Sequence, residues 1–192
     1  DAPNEVLLVL DGSTGQNAFE QAGAEFTLAV RYPGWCHQMQ VKVNGIPVSG
    51  AVKTDKGYWM IQRSWQPGDT VSCEMEMEPE RVYAHPMVRA DAGCVALRRG
   101  PIIYTFEGVD NGEDLQTLRI PREAKIEVLP YQADLLEGIV ALRVTGCRKK
   151  TAVNPALYAE DAAPEEMVTL QAIPYYAWCN RGMTHMRVWM QE

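Results

Sequence analysis

Short runs of alternating hydrophobic and polar residues recur along the chain, and turn-forming residues separate them. In Glu25–Tyr32, for example, Phe26, Leu28 and Val30 fall on one face of a strand. Helical periodicity is nearly absent. Runs of this kind predict an all-β protein. The predicted strands are residues 25–32, 39–43, 58–65, 70–77, 94–98, 102–106, 126–129, 139–145, 168–173 and 186–190.

Glycine, proline and asparagine mark the turns between these strands. Asn44-Gly45 predicts a type I′ hairpin, because both central residues of that turn need a positive φ. Gly100-Pro101 separates two strands in the same way. Residues 151–166 are rich in Ala, Pro, Asp and Glu and predict a long loop.

A polar, proline-bearing break at residues 78–80 divides the chain. We therefore expect two consecutive antiparallel β-sandwich domains of jelly-roll type. The first covers residues 1–79. The second covers residues 80–192.

The charge of the chain limits its partners. The 192 residues carry a formal net charge of −7, and an acidic surface repels phosphate backbones, so we expect no nucleic acid partner. The one basic run, Arg148 to Lys150, is typical of a solvated loop. No apolar stretch reaches the roughly 18 residues of a membrane span, and no signal peptide is visible, so we expect no membrane partner and a cytoplasmic location.

The five cysteines are odd in number, and no two of them have a CxxC spacing. This pattern favours reduced, mostly buried thiols. His37, His85 and His185 do not pair at a metal-ligand spacing. The sequence therefore predicts no metal site in this chain.

Catalytic motifs are also missing from the sequence. Glu107 and Asp110 close a strand, and paired carboxylates can hydrolyse a glycoside when a sugar lies between them. Acidic residues near a turn are more often simply solvated. We therefore predict no catalytic and no cofactor-binding residue in this chain.

Aromatic residues are the remaining candidates for function. Tyr58 and Trp59 are adjacent on a strand, so their side chains must point to opposite faces. Tyr175, Tyr176 and Trp178 lie in a second aromatic segment. These five residues could contact a protein or a sugar, or fill a core. We favour a protein interface over a sugar platform.

Several motifs together resemble one family. They are RYPGWC at 31–36, VKVNG at 41–45, GYWMIQRSWQPGDTV at 57–71, AHPMV at 84–88, VALRRGPIIYTFEGVD at 95–110, and IPYYAWCNRG at 173–182 followed by MRVWM. Each motif is weak alone, but the ordered set resembles the C-terminal half of glycoside hydrolase family 127, the β-L-arabinofuranosidase family. The resemblance covers nearly all of residues 24–190. The first sandwich of the family normally begins several strands before RYPGWC, and residues 1–23 match that stretch poorly. The resemblance therefore implies a first domain that is incomplete or divergent at its N-terminal edge.

This resemblance implies that the catalytic machinery lies elsewhere. Members of the family carry an (α/α)6 barrel before this region, with a zinc ion, a cysteine nucleophile and an acid/base glutamate. Nothing in this chain matches that barrel, so no catalytic residue is carried over. The residues of the last motif themselves agree with a structural role. Asn180 and Gly182 are turn residues, and Arg181 could pin their loop by charge-assisted hydrogen bonds to carbonyls or a carboxylate.

Three functions remain open. The chain could support its own missing N-terminal catalytic barrel and mediate a homodimer. It could be a carbohydrate-binding module, or a stand-alone interaction domain. Exposed aromatics in a polar groove would favour the second function, and an apolar flank would favour the first.

Overall fold

A computed structural model describes residues 5–9, 24–48, 52–54, 56–150, 158 and 160–192. These residues are almost all strand and loop, with a single α-helix of four residues, α1 (Gly108–Asn111), within the described part of the chain. This confirms the predicted all-β fold class. The described residues form two compact units, one ending at Met77 and the other beginning at Glu78. Short 3₁₀ turns cover Arg89–Asp91, Leu115–Thr117 and Tyr175–Ala177.

None of the helical segments in the described residues has the length and apolar character needed to cross a membrane.

The N-terminal unit is a sandwich of two antiparallel sheets. One sheet has the strand order β1-β7-β3-β4 and the other β2-β6-β5. The strands are β1 (Glu5–Val9), β2 (Ala24–Arg31), β3 (Met39–Val43), β4 (Ile46–Pro47), β5 (Val52–Lys53), β6 (Tyr58–Trp65) and β7 (Thr70–Met75).

Alternation along these strands builds the core between the two sheets. Val41 and Val71 from one sheet pack with Ile61 and Trp65 from the other. The Trp65 ring stacks on Phe26, and its indole Nε1 donates a hydrogen bond of 3.1 Å to the Phe26 carbonyl oxygen. Because the buried indole N–H has a partner, this large side chain is buried without an unsatisfied donor.

The predicted hairpin joins β3 and β4. Asn44 and Gly45 have φ values of 51° and 77°, as a type I′ turn requires, which confirms the prediction. The Asn44 side chain also donates a 2.7 Å hydrogen bond to Asp69 Oδ1 and accepts one of 2.8 Å from the backbone N–H of Thr70. These bonds tie the hairpin to the turn that precedes β7.

The described residues of the C-terminal unit form nine strands. They are β8 (Pro79–Val82), β9 (Cys94–Arg99), β10 (Ile102–Glu107), β11 (Leu118–Arg119), β12 (Ile126–Val128), β13 (Leu142–Lys149), β14 (Glu165–Pro174), β15 (Met186–Arg187) and β16 (Met190–Gln191). Their order is β15-β10-β14-β13-β11-β16-β9-β8, and β12 pairs with β13.

A further pairing of β9 with β10 closes six of these strands into a ring around the core. Tyr104 and Phe106 of β10 are fully buried there, and Tyr104 donates a 2.9 Å hydrogen bond to the Val140 carbonyl oxygen. A smaller cluster, which includes Leu129, Ile173 and Ala177, packs beside this core.

The ends of several predicted strands shift by a few residues, as in β7 and β14, and two predicted strands differ further. The run 186–190 is two short strands, because β15 pairs with β10 whereas β16 pairs with β9 and β11. The strand predicted at 139–145 begins three residues later, at Leu142, because Ile139 forms an isolated bridge with Gln132 instead. Half of the predicted loop at 151–166 lies outside the described residues, and its last two residues belong to β14. Most of residues 1–23 also lie outside them.

Candidate interaction site

Tyr58 and Trp59 of the N-terminal unit lie on opposite faces of β6, as the strand pattern predicted. Tyr58 is 37% exposed, and the guanidinium of Arg31 lies 5.3 Å from the centre of its ring. Trp59 packs against the core and stacks on Tyr32 at 6.5 Å. The indole Nε1 of Trp59 is buried without a hydrogen-bond partner. Tyr58 is therefore the exposed member of this pair, and Trp59 is half-buried.

The aromatics of the C-terminal unit form a turn directly after β14. We call residues 175–178 the aromatic turn. Tyr175 is 45% exposed and Tyr176 is 67% exposed, whereas Ala177 is buried in the smaller cluster and Trp178 is half-buried. Two neighbouring tyrosines are thus exposed to solvent on a turn that is packed against the smaller cluster through Ala177.

A buried ion pair holds the segment that follows this turn. The side chain of Glu107, at the end of β10, is fully buried, and its Oε2 accepts a 2.5 Å hydrogen bond from Arg181. Its Oε1 accepts one of 2.7 Å from the backbone N–H of Cys179. Arg181 also donates to Asp110 at 2.8 Å. The predicted pinning role of Arg181 is confirmed, and its partners are carboxylates.

Electrostatics reinforce this arrangement, which we call the Arg181 bracket (Glu107, Asp110 and Arg181). The hydrogen bonds to Asp110 and, to a smaller extent, Glu107 hold the pKa of Arg181 above its ordinary value, although burial acts in the opposite direction. Both carboxylates are therefore occupied by one cation. They form a structural bracket, and this geometry favours the interpretation of Glu107 and Asp110 as non-catalytic.

The amide of Asn111 extends the bracket to β14. Its Nδ2 donates to the carbonyl oxygens of Glu107 and Gln171 at 2.9 and 2.8 Å, and its Oδ1 accepts from the Gln171 N–H at 2.9 Å. Arg148 donates to the Asn111 carbonyl oxygen. Since β14 leads into the aromatic turn, both ends of that turn are fixed to the same buried polar network.

Two grooves flank the aromatic turn. The first groove has a volume of about 570 Å³ and the second about 530 Å³. Arg187 and Glu137, which line these grooves, were not predicted as site residues, because the candidates were chosen from aromatic side chains. The first groove is lined by Ile103, Tyr175, Met186, Arg187, Val188 and Trp189, and the second by Leu136, Glu137, Tyr176, Ala177 and Asn180.

The described part of the chain also bears on metal and thiol chemistry. Within it, no three His, Cys, Asp or Glu side chains form a group that could hold a metal ion. All five cysteines are free thiols, and four of them are buried while Cys179 is exposed. The prediction of reduced, mostly buried cysteines is thus confirmed.

Solved structures of family 127 enzymes share this fold. A β-L-arabinofuranosidase from Geobacillus stearothermophilus T6 is 40% identical with a TM-score of 0.82, and the alignment covers 98% of this chain and 32% of that one. A second family 127 β-arabinofuranosidase is 30% identical with a TM-score of 0.78, covering 97% and 29%. This chain therefore spans about a third of the length of the solved relatives.

Sequence comparison agrees with the structural comparison. The chain is 34% identical over 171 residues to a non-reducing end β-L-arabinofuranosidase from Bifidobacterium longum subsp. longum, which covers 85% of this chain and 25% of that protein. Residues 7–77 match the middle domain of family 127, and residues 79–191 match its C-terminal domain. The chain belongs to glycoside hydrolase family 127 and carries the middle and C-terminal domains of that family.

Proposed function

We propose that this chain is the non-catalytic C-terminal β-sandwich region of a β-L-arabinofuranosidase, and that it supports the catalytic (α/α)6 barrel of that enzyme. The chain spans 25% to 32% of three β-arabinofuranosidases that it resembles, which leaves room for a catalytic domain elsewhere. The zinc ion that the family resemblance implies does not fit the described residues, since they offer no group of three metal ligands. Its ligands would lie in the catalytic part.

One observation carries the supporting role. Tyr175 and Tyr176 are exposed, yet the Arg181 bracket fixes the segment that presents them. Tyrosine is enriched at protein interfaces, because its ring buries a large area at little cost in side-chain entropy. A rigid turn with two exposed tyrosines and a groove on each side is suited to receive another protein surface.

Cleavage of the parent enzyme between its catalytic part and this chain tests the proposal. A protease site is introduced at that junction, and the cut protein is passed over a sizing column and assayed with an aryl β-L-arabinofuranoside. The two pieces should remain together and active. The double variant Tyr175→Ser/Tyr176→Ser should separate at concentrations at which Tyr158→Ser does not, because Tyr158 is 92% exposed and lies outside the turn.

Separation of the unsubstituted pieces would contradict the proposal. In the double variant, the two pieces could instead stay together while the whole particle falls to half its size. That result would assign the turn to a homodimer of the parent enzyme.

The second groove favours a carbohydrate-binding module as the second candidate function. It places the carboxylate residue Glu137 and the amide residue Asn180 beside the exposed ring of Tyr176. Sugars bind to aromatic faces with polar groups alongside. Titration with arabinose oligomers should then quench tryptophan fluorescence saturably in the native chain, with the response lost in Tyr176→Ala and kept in Tyr158→Ala. No saturable response would exclude this candidate.

A further inference from the structure

The polar side chains that line the first groove are mainly hydrogen-bond donors. Tyr175, Arg187 and Trp189 bring a hydroxyl, a guanidinium and an indole N–H, and no Asp or Glu lines the groove. No side-chain hydrogen bond or ion pair joins these three residues to any other part of the chain that the structure describes. The groove therefore offers strong donors whose hydrogen-bonding capacity is unused among the described residues.

The cation is the most informative of these groups. The chain has a net charge of −7, and arginines of the same unit such as Arg81, Arg98 and Arg119 pair with nearby glutamates. Arg187 remains without a counter-ion among the described residues, beside the apolar side chains of Ile103 and Val188. A guanidinium next to apolar surface attracts a carboxylate and can bind it through two parallel hydrogen bonds.

The composition of the groove also indicates the kind of partner. An ionised carboxylate only accepts hydrogen bonds, whereas a sugar hydroxyl both donates and accepts, so a groove whose side chains supply mainly donors matches a carboxylate more completely. Arginine, tyrosine and tryptophan are the residues that concentrate at the centres of protein interfaces. A side chain that carries a carboxylate next to an apolar neighbour would satisfy both the donors and the apolar surface of this groove.

We propose that the first groove binds an aspartate or glutamate side chain, flanked by an apolar residue, from the part of the family polypeptide that this chain does not contain. The inference rests on the proposed supporting function. Charge complementarity supports the choice of occupant. So does the remaining length of the relatives, of which this chain covers 25% to 32%.

The first experiment uses this chain alone with small probes. In ¹H–¹⁵N spectra, 4-methylpentanoate should shift the Trp189 indole and Arg187 backbone signals saturably. The matched amide, 4-methylpentanamide, should bind roughly tenfold more weakly, because it lacks the charge that the guanidinium recognises. Arg187→Gln should remove the difference between the probes. Arg31→Gln should preserve it, because Arg31 lies over Tyr58 in the other unit. Equal binding of both probes, or no binding of either, would overturn the inference.

The second experiment separates this inference from the function on which it rests. In the cut parent enzyme, Arg187→Glu should release the catalytic part, and Arg187→Lys should retain it in part. If Tyr175→Ser/Tyr176→Ser releases that part and Arg187→Glu does not, the groove inference is wrong and the supporting function stands. If the unsubstituted pieces separate at once, the supporting function itself fails.

Discussion

Replacement of Arg181 by methionine removes the cation from the Arg181 bracket but keeps a side chain of similar length. Glu107 then stays in a fully buried position with the Cys179 N–H as its remaining described donor. Removing one partner of a buried ion pair costs about 3–5 kcal/mol, because the other charge is left without compensation. We therefore expect Arg181→Met to lower the free energy of unfolding of the C-terminal unit by about that amount.

Urea unfolding followed by residue-resolved NMR measures this loss separately in each unit. Signals of the C-terminal unit should shift to lower urea, and those of the N-terminal unit should not. Exchange of the Cys179 amide proton should accelerate, since that proton is bonded to Glu107. Arg119→Met is the matched control, because Arg119 forms a bidentate pair with Glu165 at the surface of the same unit. Its effect should be much smaller.

A double variant tests whether the charge itself causes the loss. Glu107→Gln keeps the shape of the side chain and removes the charge, so Arg181→Met/Glu107→Gln should recover part of the stability that Arg181→Met loses. If Arg181→Met costs no more than Arg119→Met, then the buried pair does not stabilise this segment. The physical argument for a rigid aromatic turn would then be refuted.

Further outcomes are expected for two glycine substitutions, for acid titration and for an activity assay. Gly146→Ala should destabilise the C-terminal unit by about 1–3 kcal/mol, because a Cβ there would lie 2.3 Å from Leu170 Cδ1 and 2.8 Å from a backbone oxygen of β11. Gly34→Ala, which meets nothing within 4 Å, should be nearly neutral in thermal unfolding. The hydrogen bond from Asn44 lowers the pKa of Asp69. The stability from Asp69 should therefore be present above about pH 4 and be lost as the pH falls through the lowered pKa. Acid titration of the N-terminal unit should accordingly be steeper in the native chain than in Asp69→Asn. The chain alone, supplied with zinc and reductant, should not hydrolyse aryl β-L-arabinofuranosides, and turnover abolished by substituting one of its own cysteines or glutamates would contradict this.

Local chemistry made parts of the fold predictable from sequence. The Asn44-Gly45 hairpin needs only that two adjacent residues tolerate a positive φ, which is a property of those residues themselves. The opposite orientation of Tyr58 and Trp59 follows from the pleat of any strand. The role of Arg181 was predictable in kind, because a lone arginine in a turn sequence tends to bond nearby acceptors.

The partners in the bracket were not predictable in the same way. Glu107 and Asp110 lie 74 and 71 residues before Arg181 in the chain. Their approach depends on the pairing of β10 with both β14 and β15, which no short window of sequence specifies. The first groove could not be predicted for a related reason. Ile103 and Trp189 line the same groove because β15 pairs with β10 and β16 pairs with β9, which divides the run 186–190 between two sets of partner strands.

The position of β16 has a consequence for how the protein is made. β16 lies between β9 and β11, and buried Met190 pairs with Val95 near the start of the C-terminal unit. During synthesis the six-stranded ring cannot close until residues 190–191 have left the ribosome, whereas the strands before Glu78 are already complete. The N-terminal unit can therefore fold as the chain emerges, while the edges of β9 and β11 stay unpaired until translation reaches β16. Removal of residues 190–191 would leave those two edges without their shared partner strand in the finished protein, and unpaired strand edges favour aggregation.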